Sequence, residues 1–93
     1  MKNPDWTTYV PRRVYDTART LETACERANL SPIGEVEWRM THWPTKSGRA
    51  FWGEVWRFLM EEYCIGSEYR YEIVIIDDPG FVRVVTVLPQ QIH

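Results

Sequence analysis

The chain has 93 residues, 26% charged and 44% apolar, with a formal net charge of −2 at neutral pH. That length leaves room for one domain and excludes a second independent core, and the composition excludes a disordered chain. The acidic balance argues against duplex nucleic acid as the main partner, because neutralising phosphates takes a basic excess.

Charge is nonetheless segregated. Trp38 to Arg57 carries four basic residues against one acidic, whereas Glu61 to Asp78 carries six acidic residues against Arg70 alone. Such blocks either attract one another within the fold or present separate faces to partners.

In chain order, residues 1–10 read as an extended arm with Trp6 and Tyr9 as anchors, and residues 11–93 as the globular body. No apolar stretch resembling a signal peptide opens the chain, and the longest apolar run, Ile73 to Ile76, is far too short to span a bilayer. A soluble, cytoplasmic protein without membrane partners is expected.

Pro11 suits the first turn of a helix. Val14, Ala18, Leu21, Cys25 and Ala28 then recur at three- and four-residue steps, and Asn29 with Pro32 supplies a stop. Cys25 and Cys64 show no CxxC spacing and read as reduced helix residues; with two distant histidines they make no zinc site.

Residues 34–43 alternate. Val36, Trp38, Met40 and His42 share one side, and Glu35, Glu37, Arg39, Thr41 and Trp43 the other, which predicts a half-buried strand ended by Pro44. Residues 45–48 read as a loop. Phe51, Trp52, Val55, Trp56, Leu59 and Tyr63 then follow helical steps, with Ser47 as N-cap and Gly66 beyond the end. A rival reading pairs residues 50–58 with the preceding strand as a hairpin. Helix is favoured, because residues 59–63 extend the periodicity.

Glu68 to Ile76 and Phe81 to Leu88 are rich in Val, Ile, Tyr and Phe. Asp77-Asp78-Pro79-Gly80 between them predicts a hairpin closed by a type II turn or a slightly longer loop. Both strands are apolar on both faces near the turn, so the hairpin should be covered twice or meet a second chain. The resulting expectation is an α+β fold, order α-β-α-β-β, with two helices on a mostly antiparallel three-stranded sheet.

Four of the five tryptophans lie between Trp38 and Trp56, interleaved with Arg39, His42, Lys46, Arg49 and Arg57. Periodicity assigns Trp38, Trp52 and Trp56 chiefly to the core. Trp43 breaks the pattern beside Pro44 and is the candidate exposed ring. The segment suggests a partner-binding surface made of Trp43, Lys46, Arg49, Arg39 and Trp52, since Trp and Arg concentrate in protein interfaces.

The function expected is therefore a small non-enzymatic interaction protein, an adaptor or inhibitor, with no cofactor or metal. The same rings and cations also fit a single-stranded nucleic-acid binder, a reading not favoured. A third reading is a small nuclease or toxin centred on His42, but no spacing demands it. Lys46-Ser47-Gly48-Arg49 lacks the glycine pattern of a phosphate loop. The acidic residues read as a solvated face and form no calcium loop. Self-association as a homodimer through the C-terminal hairpin is compatible with every reading.

Overall fold

The computed structural model describes residues 6–64 and 70–87. Their order is β1 (Trp6–Pro11), α1 (Arg12–Ala28), α2 (Pro32–His42), α3 (Lys46–Cys64), β2 (Arg70–Val74) and β3 (Phe81–Val87). The fold is α+β with a three-stranded antiparallel sheet, as expected, but the order is β-α-α-α-β-β and three helices lie among the described residues.

Two readings change. Part of the N-terminal arm is a strand: Trp6–Pro11 pairs antiparallel with β3, Trp6 opposite Thr86 and Pro11 opposite Phe81. Residues 34–43 are helix rather than strand. The deciding signal is Ser31-Pro32, which serves the helix that follows it as well as ending α1. Ser31 is the N-cap, its Oγ accepting from the Gly34 N–H at 3.2 Å, and Pro32 fills the first turn, where no donor is needed. Once the segment is helical, Ile33, Val36 and Met40 form the core-facing stripe.

α1 forms where predicted, except that Pro11 ends β1 and serves as the N-cap instead of entering the first turn, and Ala28 is exposed. Val14, Ala18, Leu21 and Cys25 are buried, and the Cys25 thiol is free. Asn29 ends the helix in the left-handed region (φ 57°), and the Leu30 N–H returns to the Cys25 carbonyl at 2.8 Å. α3 is helical throughout residues 50–63, which removes the hairpin alternative. Its cap is Thr45, not Ser47: the Thr45 hydroxyl accepts from the Gly48 N–H at 3.0 Å. Gly66 lies outside the described residues.

The core gathers Trp52, Val55, Phe58 and Leu59 of α3 with the α1 stripe, Val36 and Val84. Each such aliphatic side chain contributes about 1.5–3 kcal/mol on burial.

The strand order is β1-β3-β2, with Arg70 opposite Val87 and Val74 opposite Arg83. Val82, Val84 and Thr86 of the central strand are buried on the core side. Strand alternation turns Arg83, Val85 and Val87 to the other face, where Tyr9 and Phe81 are exposed. Tyr9 is thus more than half exposed rather than buried against the body.

The β2–β3 connection is the longer loop, residues 75–80. Among the described residues no glycine has positive φ, so a type II turn at Pro79-Gly80 does not form. The loop is closed by Asp78, whose Oδ1 accepts from the Gly80 N–H at 2.7 Å, and by Arg12. The Arg12 Nη2 donates to the carbonyls of Ile76 and Asp78, both at 2.8 Å, and its backbone N–H to Gly80 at 2.9 Å. The start of α1 is thereby tied to the hairpin loop.

Candidate functional site

Pro44 disfavours helical geometry in the residue before it, so α2 stops and Trp43 turns extended (φ −65°, ψ 144°). The chain reverses over two residues and α3 begins at Lys46. The Trp43 ring folds back over the first turn of α3, where Gly48 makes room for it. A Cβ at position 48 would stand 2.1 Å from Trp43 Cδ1 and 2.6 Å from its Nε1.

Trp43 then meets Trp52 with ring centroids 5.4 Å apart and planes tilted by 57°. The Arg39 guanidinium lies 4.8 Å from the Trp52 centroid, and its Nε donates to Glu35 at 3.0 Å. The Arg49 Nη1 donates to the Trp43 carbonyl at 2.7 Å.

Four of the five residues proposed from sequence thus sit in one cluster at the α2–α3 corner, whereas Lys46 is exposed outside it. The cluster is turned inward. Trp52 is only 7% exposed, Trp43 is half-buried against the core, and the Arg39 and Arg49 side chains bond within the chain. Trp43 is therefore not the exposed ring.

Among the tryptophans whose side chains are described, the exposed one is Trp38, 56% exposed, which periodicity assigns to the core. On a helix, residues two apart point to nearly opposite sides, so burying Val36 turns Trp38 outward. Its indole lies flat on the His42 imidazole, centroids 4.8 Å apart and planes within 10°. The His42 Nδ1 stands 3.0 Å from the Trp38 carbonyl oxygen and 2.7 Å from the Thr41 hydroxyl. The helical spacing of Trp38 and His42 carried this signal, but only for a reader who had taken Ser31-Pro32 as a helix start. Trp56 is half-buried against the core, with Nε1 unpaired among the described groups.

Stepping around α2 from Trp38, His42 and Glu35 come next and then Arg39, which overhangs an open groove. The groove encloses about 370 Å³ between α1 and the corner. Asp16, Thr17, Thr20 and Ala24 form one wall, Arg39 the other, and Trp52 is the apolar residue α3 contributes.

The acidic residues divide. Glu62 and Glu22 both pair with Arg19, and the Tyr63 hydroxyl donates to Glu22 at 2.6 Å. Burial works against the Arg19 charge, but the hydrogen bond to Glu62 and the charges of Glu62 and Glu22 outweigh it and raise its pKa above the ordinary arginine value. The bond to Glu22, with burial and the surrounding negative charge, pushes Tyr63 up to about 12. Among the described residues no three His, Cys, Asp or Glu side chains are placed to hold a metal ion, and no helix is long and apolar enough to cross a membrane.

Compared with known proteins, the chain matches no family model, and neither a curated protein nor a solved structure resembles it significantly. Function is therefore argued from the site alone.

Proposed function

We propose that this chain is a non-enzymatic protein-binding module, an adaptor or inhibitor, that docks its partner on the face shared by α2 and the α1 groove. The observation that carries the reading is Trp38: a large ring held flat on His42, more than half exposed, and followed directly in the helix by Arg39 of the groove wall. A fixed aromatic plate loses little side-chain entropy when covered, which is why tryptophan recurs among the residues that dominate binding energy.

Partner contact thereby moves from Trp43, Lys46 and Arg49 to Trp38, His42 and Arg39, with Trp52 reached through the groove. The partner's complement is an apolar anchor for the groove and a side chain or backbone segment to lie on Trp38. Asp16 and the Glu35–Arg39 pair at the rim favour polar over strongly charged contacts there. A nucleic-acid interface has less support: Arg39 and Arg49 are already bonded within the chain, and Trp43 and Trp52 face each other rather than solvent. We take the protein to act in the cytoplasm, where the buried Cys25 thiol stays reduced.

The test is capture from a host extract with nuclease present, comparing wild type, Trp38→Ala and Lys46→Ala. A cognate protein partner is retained by Lys46→Ala and bound about thirtyfold more weakly by Trp38→Ala. If Trp38→Ala keeps every captured protein at wild-type strength, the α2 face is not the docking surface.

A further inference from the structure

We infer that the outer edge of β1, with the groove beside it, receives an extended segment of a partner protein as a fourth strand of the sheet, antiparallel to β1 and with one aliphatic side chain seated in the groove. The inference is independent of the α2 face, since no residue of that surface borders this groove.

The order β1-β3-β2 leaves β1 at one end of the sheet, paired on one side. The Arg12 N–H bonds to the Gly80 carbonyl, one step beyond the pairing of Pro11 with Phe81. Hydrogen-bonded and non-bonded pairs alternate along an antiparallel ladder. Trp6, Thr8 and Val10 therefore turn their backbone groups to β3. Those of Thr7 and Tyr9, with the Pro11 carbonyl, point outward, where no strand among the described residues meets them. Such an edge is usually blunted by charges or by a proline inside it. Trp6–Pro11 holds no charged residue, and its one proline stands at the end, where α1 begins.

Beside this edge an open groove of about 230 Å³ separates the end of β1 from α3. Val10, Val14 and Phe58 line it with apolar surface, and Tyr9, Glu54 and Arg57 border it. Tyr9 and Val10 belong to opposite faces of the sheet, so a groove bordered by both lies alongside the edge rather than beneath the strands. Residues directly opposed on neighbouring strands share a face. Val10 packs against the core, so the residue that an added strand sets opposite Val10 is turned toward the helices as well. On that side Val10 is a non-bonded position, where opposed side chains approach most closely. The added strand thus sends a side chain inward at the place where the protein has room for one.

That coincidence selects the occupant. Outward N–H and carbonyl groups repeating every second residue are matched by another extended backbone, and the groove sets which side chain it carries. The apolar lining calls for an aliphatic residue opposite Val10. Glu54 and Arg57 are exposed one turn apart on α3 and form no ion pair among the described residues, so they offer one charge of each sign to polar residues flanking that side chain. A second copy of β1 fits less well, because pairing about Tyr9 would set Thr8 rather than an aliphatic residue opposite Val10.

The probe is a displayed library of short random peptides selected on the full chain. Tyr9→Pro removes the outward N–H and spares the β1–β3 ladder, to which that N–H does not contribute. Tyr9→Ala removes the same side chain and keeps the N–H. Selected peptides are expected to carry an aliphatic residue within an alternating pattern and to bind Trp38→Ala like wild type. They should bind Tyr9→Pro about tenfold more weakly than Tyr9→Ala. N-methylation along the peptide backbone is a second measurement that leaves the protein untouched. It should weaken binding at alternate residues, because the intervening N–H groups of an added strand point to solvent. A library that yields no binder overturns the inference, as do peptides that bind Tyr9→Pro and Tyr9→Ala equally or an N-methyl scan without alternation. Self-association of wild type that Tyr9→Pro abolishes gives the edge to a second copy and overturns the partner segment.

Discussion

Trp43 and Trp38 are five residues apart, and their surroundings are opposite. At the α2–α3 corner, Trp43 is wedged over Gly48, tilted on Trp52, and its carbonyl is held by Arg49. On the outer side of α2, Trp38 touches His42 and is otherwise largely in solvent. The difference lies in what the neighbouring polar groups are committed to. Cations beside the corner are spent on Glu35 and on a carbonyl, so those rings contribute to stability. The plate on α2 lies outside that bonding and, in the proposed reading, is the part left for a partner.

The comparison breaks most visibly at Trp52. Trp52→Ala removes the apolar wall of the corner and should cost about 3–5 kcal/mol in urea denaturation. A loss below about 1 kcal/mol would show that the corner is not part of the core.

Next is Gly48→Ala, whose Cβ would overlap the Trp43 ring. The indole must leave its seat, at a cost of about 1–3 kcal/mol, with tryptophan emission shifted to the red. Unchanged emission would mean that the ring does not sit over Gly48.

A smaller effect comes from the Tyr63–Glu22 bond. Tyr63 rises from 10.0 to about 12 in the folded chain, so its bond contributes fully below pH 10 and is lost as pH climbs from 10 to 12. The side chain is exposed, and screening holds the contribution to about 0.5 kcal/mol. Wild type should lose slightly more stability across that interval than Tyr63→Phe; parallel curves would argue that Glu22 does not accept from the phenol.

Smallest is Trp38→Ala, which should move the denaturation midpoint by less than about 0.5 kcal/mol. A large loss there would place Trp38 with Trp52 as a core ring and remove the contrast.

The amphipathic stripe of α1 and the two β-rich segments at the C-terminus were legible because three- and four-residue steps and β-branched runs are local signals. The segment 34–43 was misread for a definite reason. Val36, Trp38, Met40 and His42 alternate as a strand does, while Ile33, Val36 and Met40 also satisfy the helical period, and a ten-residue window admits both. Ser31-Pro32 decided between them. Composition found the cluster of Trp43, Trp52, Arg39 and Arg49 but could not tell an inward cluster from an outward one. That depends on which carboxylate or carbonyl each cation reaches.

By itself the sequence determined that the chain is α+β, where its first helix runs, and that aromatics and cations would gather near its middle. Those follow from propensity and periodicity, which act over a few residues. Only the tertiary structure decided that β1 adds to the sheet, that Arg12 closes a loop more than sixty residues away, and that Trp38 rather than Trp43 meets solvent. The pairing of distant backbone groups and the direction of a helix face are set by packing between elements, and no local pattern encodes them.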